Sequence, residues 1–446
     1  MDDYRRIADR IAGDIASGRL RAGQRLPPQR AFARRHGIAA STAGRVYGEL
    51  VRRGLVVGEV GRGTFVRATQ PGRPGQALTE TATDAPVNLE LNYPSAPGQP
   101  ELLAPALAPL LRPDVLAGAL GPAAATGTAA DRAAAAGLLA TAGWRPGPEQ
   151  VLFAGNARQA VAATLASLVR PGGRVGVEPL TYPLVKEIAA RLGLTLVPLA
   201  ADEDGLCPDS VAAAHRTAPL SALYLQPTLH NPTSRTTSAG RRRRLARAVT
   251  ELGLPVVEDR IWSFLHPGGP DPLAAYAPAL THVVDGLSKR VAPGLTAGFA
   301  VVPPQRAGAV ADAIRSGGWN AGRFALAAAV RWIEDGTVAR LVAVKRADAA
   351  ERQRILAERL DGFAVRSDPH AYFAWWELPA PWRADTFTAA AAARGIAVTP
   401  GSAFAVGAGR APDAVRLGLA SVAVPDLDRA LRTLAGVAAG KGPGGR

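Results

Sequence analysis

The 446-residue sequence has one cysteine, Cys207, so it can form neither an intramolecular disulfide nor a cysteine metal cluster. No metal site is expected. No apolar run is long enough to span a bilayer, and Met1-Asp2-Asp3-Tyr4-Arg5-Arg6 opens acidic and polar, unlike a secretory leader. These absences and the cysteine usage predict a cytoplasmic protein with no membrane attachment. No internal repeats occur. Acidic residues are few, 37 Asp and Glu against 52 Lys and Arg, which leaves a formal charge of +15. The rest, 48% hydrophobic and 20% charged, is ordinary globular composition with room for more than one domain.

The positive charge is concentrated. Residues 1–67 hold 14 Arg against 6 Asp or Glu, a net of +8, so a seventh of the chain carries over half of the excess. Such a field steers towards phosphate backbones. Ile7, Ala8, Ile11 and Ile15 form a helical stripe over Tyr4–Ser17, which Gly18 stops. A second short helix begins around Leu26-Pro27-Pro28-Gln29-Arg30, runs through Arg35 and closes at Gly37. A third covers Ile38–Leu50, with Ser41 or Thr42 near its start and Val46, Leu50 and Val51 inward. Leu55-Val56-Val57 reads as a strand, and Gly61-Arg62-Gly63-Thr64-Phe65-Val66 as a tight turn with a returning strand. That order is a winged helix-turn-helix.

Gly18-Arg19-Leu20, Arg25-Leu26-Pro27-Pro28-Gln29-Arg30, Ser41-Thr42, Tyr47-Gly48-Glu49-Leu50 and Gly61–Phe65 make the segment resemble the DNA-binding domain of the GntR family. The resemblance implies double-stranded DNA as partner. Arg30, Ser41, Thr42 and Arg45 would meet phosphates and base edges in the major groove, and Arg62 and Gly63 would approach the minor groove. Ala40 stands where that family often has an Arg before the recognition helix. Residues 68–86, rich in Pro, Gly and Thr and without periodicity, read as an interdomain linker.

Beyond it, Val87–Pro94 is expected to open a second domain, residues 87–446. Short apolar strands, Val151-Leu152-Phe153, Arg174–Val177, Ser221–Leu225, Pro255–Glu258 and His282–Asp285, alternate with Ala/Leu-rich helices up to about residue 320. Alternation of this kind predicts a mostly parallel α/β sheet with ligands at the carboxyl ends of its strands. A small C-terminal part, about 330–439, has long helices and a few strands such as Ala371–Trp376 and Ala414–Leu419. Lys289 follows the strand at His282–Asp285, ahead of a Gly/Pro-rich turn. Asn231 and Asp259 precede it by 58 and 30 residues, spacings of successive strand-helix units.

A lysine amine forms a Schiff base with an aldehyde cofactor. A carboxylate keeps the ring nitrogen of such a cofactor protonated, and an amide donor suits its phenolate oxygen. Lys289, Asp259 and Asn231 fill those three roles, and together they resemble the pyridoxal phosphate site of the fold-type I, class I/II aminotransferases. By that resemblance, Asn156 and Ala157 in Ala154–Ala160 belong to the phosphate loop at a helix N-terminus, with Ser288 beside the lysine. Tyr182 in Glu178–Pro183 would stack on the cofactor ring, and Arg416 would hold a substrate carboxylate.

Taken whole, the chain resembles the MocR subfamily of GntR regulators. This implies a homodimeric, pyridoxal-phosphate-binding transcriptional regulator whose effector is the cofactor or its adduct with an amino acid or amine. Several positions depart from the pattern. Gly286 replaces a serine, Thr296 an arginine on the phosphate, and Ile261 and Trp262 stand where a tyrosine commonly supports the phenolate oxygen. A partner-chain tyrosine before Gly127 is not evident. Arg158 or Arg290 is available to compensate. Two other readings stay open, an active aminotransferase with an accessory DNA-binding domain and a regulator whose large domain is a cofactor-free dimerisation scaffold.

Overall fold

A computed structural model describes residues 3–16, 19–20, 24–52, 55–59, 63–66, 85–407 and 411–440. Most of the linker expected at 68–86, and Arg62, lie outside the described residues.

The N-terminal unit packs three helices, α1 (Asp3–Ala16), α2 (Gln29–His36) and α3 (Ala40–Arg52), against a hairpin of β1 (Val56–Glu59) and β2 (Gly63–Val66). Its core is the apolar face of each helix, Ile7, Ala8 and Ile11 from α1, Phe32 and Ala33 from α2, and Val46, Tyr47 and Leu50 from α3. Helix α2 starts at Gln29, later than Leu26, because Pro27-Pro28 holds the preceding backbone extended. Gly37 ends it in the left-handed region, at φ 63°. Val51 does not join the core, being 46% exposed. The Leu26 N–H donates to Thr64 O and the Val66 N–H to Gln24 O, so the stretch before α2 extends the wing sheet.

The larger part holds a seven-stranded sheet. In chain order the strands after the wing are β3 (Val87–Asn88), β4 (Val151–Ala154), β5 (Arg174–Val177) and β6 (Thr195–Pro198). A small hairpin, β7 (Ala201–Asp202) and β8 (Gly205–Leu206), precedes β9 (Ala222–Leu225), β10 (Val256–Asp259), β11 (Thr281–Gly286) and β12 (Gly298–Val301). The sheet order is β4-β12-β11-β10-β9-β5-β6. All pairings are parallel except those of β12, which runs antiparallel to both neighbours. Every residue in β4, β9, β10, β11 and β12 is buried, which explains why these strands are mostly apolar without alternation, their acidic residues falling towards the carboxyl ends of β10 and β11.

The last part has β13 (Val365–Arg366), β14 (Phe373–Glu377), β15 (Ile396–Ala397), β16 (Thr399–Pro400) and β17 (Ala414–Gly418). Four of these form an antiparallel sheet in the order β13-β14-β17-β16. Trp376, Trp382, Phe387, Leu427 and Leu431 fill the core between this sheet and its helices. The opening strand expected over Val87–Pro94 is only two residues long. It pairs with β15, placing Val87 opposite Ile396. Among the described residues no single helix is long and apolar enough to cross a membrane.

Candidate functional site

Strands β9, β10 and β11 are parallel neighbours, so their carboxyl ends open at one edge of the sheet. Asp259 is the last residue of β10, Lys289 lies three residues past β11, and Asn231 six past β9. The three meet in one cavity, which Asn156, Ala157, Tyr182, Ser288 and Arg416 also line. These eight candidates therefore line the same space.

Lys289 Nζ donates to Asn92 O at 2.8 Å and lies 3.9 Å from the centre of the Tyr93 ring and 5.1 Å from that of Trp262. Asp259 is buried. Its Oδ2 accepts from the Tyr224 hydroxyl at 2.7 Å and its Oδ1 from the Ile261 N–H at 2.9 Å. Burial pushes its carboxyl up to about 6, against the pull of those two hydrogen bonds. A cationic ring nitrogen opposite would favour the charged form.

Beneath this lies a second buried pair. Glu178 is raised to about 8 by burial and His230 lowered to about 3 by burial and the Arg235 charge. His230 Nε2 is 3.5 Å from Glu178 Oε2, and burial disfavours the charged form of each. The partners of His230 agree with a neutral ring. His230 Nε2 donates to Leu180 O at 3.0 Å, and its Nδ1 accepts from the Thr233 hydroxyl at 2.7 Å.

Asn156 caps the helix Ala157–Leu168 through Oδ1, which accepts the Gln159 N–H at 3.0 Å. The other first-turn N–H groups have no intrahelical partner and make an anion cradle at the cavity wall. Strand β12 presses against it. A Cβ on Gly298 would sit 2.3 Å from the Asn156 carbonyl, so only glycine allows the approach. Gly286 is similarly confined, since a Cβ there would lie 3.0 Å from Ala297 O and 3.4 Å from the Ala157 methyl. This crowding gives a physical reason for glycine where the resembled pattern has serine.

Of the two arginines expected to compensate, Arg158 lines the cavity and Arg290 does not. Arg290 is spent in a buried pair with Asp285, with Nη2 2.8 Å from Oδ2 and Nη1 on Oδ1, and it also donates to Gly286 O. Thr296 and Trp262 line the cavity.

Arg416 on β17 is almost fully buried and comes from the small sheet. Its Nη2 donates to Glu90 O at 2.6 Å and Thr399 Oγ1 at 3.1 Å, and burial lowers it to about 10. Its Nε has no hydrogen-bond partner; nor do Asn231 Oδ1 and Asn92 Nδ2, all three buried. Buried polar atoms left without partners around a lined cavity fit a polar ligand that would supply them. The residues present suit pyridoxal phosphate: an amine, a buried carboxylate, an amide and a helix N-terminus. Sequence reading missed Tyr93, Asn92, Tyr224 and Gln226. Tyr224 alone carried a signal, as the polar member of an otherwise apolar strand.

In the N-terminal unit Arg30, Ser41 and Arg45 are exposed and Thr42 is half-buried. Arg30 is on α2 and the others are in the first two turns of α3, which Ala40 opens. The Arg45 guanidinium lies 4.1 Å from the centre of the Tyr4 ring of α1. Gly63 begins β2 with φ 119°, and a Cβ there would meet Arg25 Nε at 2.6 Å. Four of the DNA-facing candidates thus lie on α2 and α3, and Gly63 at the wing.

Comparison with known proteins agrees with both halves. The family described as aminotransferase class I and II matches residues 126–434, and that of bacterial regulatory proteins, gntR family, matches residues 3–66. The HTH-type transcriptional regulator YdeF of Bacillus subtilis is 28% identical over 432 residues, covering 97% of this chain and 93% of YdeF. The pyridoxine biosynthesis regulator PdxR of Corynebacterium glutamicum is 30% identical over 162 residues, 36% of this chain and 34% of PdxR. Among solved structures, LysN, the α-aminoadipate aminotransferase of Thermus thermophilus, superposes with a TM-score of 0.69 at 24% identity. The match covers 78% of this chain and 91% of LysN. This likeness is one of fold.

Proposed function

The chain belongs to the aminotransferase class I and II family, and on that premise we propose that it is a MocR-type transcriptional regulator that reads an amino acid or amine through pyridoxal phosphate. Residues 1–67 form the DNA-binding domain and 87–446 the sensing domain, and the protein works as a cytoplasmic homodimer on double-stranded DNA. Family membership implies the cofactor, which supplies an electrophilic aldehyde when bound. Lys289 would present the amine that holds it, Asp259 the carboxylate for its ring nitrogen, Asn231 the amide for its phenolate oxygen, and Tyr182 an aromatic ring to stack on it. The helix start at Asn156–Ala157, with Ser288, takes the phosphate. The unpaired Nε of Arg416 leaves donor capacity for an effector carboxylate. Arg30, Ser41, Thr42, Arg45, Arg62 and Gly63 contact DNA.

The observation that carries this reading is the convergence of Lys289, Asp259 and Asn231 on one cavity in a chain that begins with a winged helix. An effector acts on DNA binding only through its unequal affinity for two arrangements of the domains. The test is the visible absorption of protein with added pyridoxal phosphate, before and after borohydride, alongside DNA affinity with and without cofactor. A lysine-linked band lost in Lys289→Ala, with DNA affinity that follows cofactor and effector, is expected. No band at saturating cofactor would make the large domain a scaffold. Steady turnover of an amino donor with a keto acid, leaving DNA affinity unchanged, would make the protein an enzyme instead.

A further inference from the structure

Away from the cofactor cavity, a second group of chemically capable side chains joins the two parts of the large domain. His266 lies seven residues past Asp259, just after the short 3-10 turn Ser263–Leu265. Asp368 and His370 lie in the connection between β13 and β14 of the small sheet. The two imidazoles stack with ring centres 4.9 Å apart and planes at 29°. Asp368 Oδ1 is 2.9 Å from His370 Nδ1 and also accepts the His370 backbone N–H at 2.8 Å. One donor atom from each of the three residues lies within 4.8 Å of the others. His266 Nδ1 is buried without a hydrogen-bond partner.

We propose that His266, Asp368 and His370 form a site for a divalent transition metal of the zinc, cobalt and nickel class, which fastens the small sheet to the large one. Two imidazoles and one carboxylate are the donors such ions prefer, whereas magnesium and calcium require mostly oxygen. Three protein ligands leave a fourth position for water. The residues come from different parts of the fold, so chain proximity does not explain their meeting; 102 positions separate His266 from Asp368.

Metal bonds of about 2.0–2.2 Å put tetrahedral ligand atoms about 3.4 Å apart. The present spread of up to 4.8 Å therefore asks for a small closing movement. That movement would draw the β13–β14 connection towards the segment that follows Asp259. The cofactor cavity spans the same divide, with Asp259 on one side and Arg416 on the other. Metal occupancy would thus bias how closely the cavity is closed, and by linkage a ligand in the cavity would alter metal affinity by the same factor.

The test uses full-length protein without a histidine tag, stripped with chelator and free of added cofactor. Calorimetric titration with Zn2+ is expected to show one equivalent bound at micromolar concentrations, and Co2+ to give the visible absorption of a four-coordinate site. His266→Gln and His370→Gln should each weaken binding at least about tenfold. Each variant's thermal unfolding in chelator should match that of the wild type. Unchanged Zn2+ binding in the doubly substituted protein would overturn the proposal, as would no binding by the wild type at millimolar Zn2+. If a substitution lowers metal-free stability, Asp368→Asn is the deciding variant. It keeps both imidazoles, and an unaltered Co2+ spectrum and affinity would rule Asp368 out of the site. The cofactor reading has a separate readout, the Lys289-dependent absorption.

Discussion

At Asp259, burial favours the neutral acid while the Tyr224 hydroxyl and the Ile261 N–H favour the carboxylate. Tyr224→Phe removes one of these donors, so the carboxyl should titrate higher still. A buried hydrogen bond to a charged group is worth about 1.5–3 kcal/mol, so cofactor affinity should fall roughly tenfold or more. Equilibrium titration of cofactor absorbance checks this, and unchanged affinity would deny Tyr224 a part in holding the charge.

The Glu178–His230 pair bears on stability in opposite directions. His230 is neutral in the fold down to about 3 but charges near 6.5 when unfolded. Its contribution is therefore present above 6.5 and is lost as pH falls towards 3. Glu178 has its folded value raised from 4.5 to about 8, so its contribution is present below 4.5 and lost as pH rises through 8. Unfolding midpoints measured across pH should show His230→Gln with a shallower acid limb and Glu178→Gln with less loss on the alkaline side. At this scale the residues that follow strands in order, Lys289, Asp259 and Asn231, could be read from the sequence by spacing. Tyr224, Tyr93 and Asn92 could not, because they reach the site through strand pairing and through the packing of residues 89–93, neither of which spacing encodes.

Among the elements, β12 has the tightest constraint. Gly298→Ala would force the strand off the Asn156 peptide, where a Cβ has only 2.3 Å. Overpacking of this kind costs about 1–3 kcal/mol, and here it distorts the anion cradle as well. A lower unfolding midpoint together with weakened cofactor binding is the expected outcome; binding unchanged at reduced stability would separate the strand from the cradle. The sequence reading missed β12 because four apolar residues directly behind a Gly/Pro-rich turn give neither helical nor strand periodicity. By contrast, α1 to α3 showed their helical stripes; two prolines displaced the start of α2, and α3 runs Ala40–Arg52, two residues later at each end than the expected 38–50.

Helices α2 and α3 carry a prediction of their own. Arg30→Ala should weaken binding to different DNA sequences by similar factors and reduce the salt slope by about 1, as loss of one phosphate contact requires. Affinities measured over a salt series decide it; an unchanged slope would remove Arg30 from the contact set.

For the molecule as a whole, the proposed coupling between the cofactor site and DNA would have to pass through the chain that precedes residue 87. Strand β3 pairs with β15 of the C-terminal part, through Val87 N–H to Gly395 O at 3.0 Å and Leu89 N–H to Ala397 O at 2.9 Å. Val87→Pro deletes the first donor. Cofactor absorption should survive while DNA affinity loses its dependence on cofactor, and retained dependence would place the coupling elsewhere. The sequence showed two units and a polar stretch between them, but not that the second unit begins by pairing with β15 near its own end.

That short pairing fixes where the DNA-binding unit is moored. From Val66 to Ala85 the chain makes 19 steps, and at no more than about 3.6 Å per residue no conformation extends beyond roughly 68 Å. Wherever the winged helix binds an operator, its Val66 must lie within that radius of the β3–β15 pair. A dimer of such chains therefore carries a ruler, and the greatest separation of half-sites that one protein can bridge is set by tether length and mooring point together.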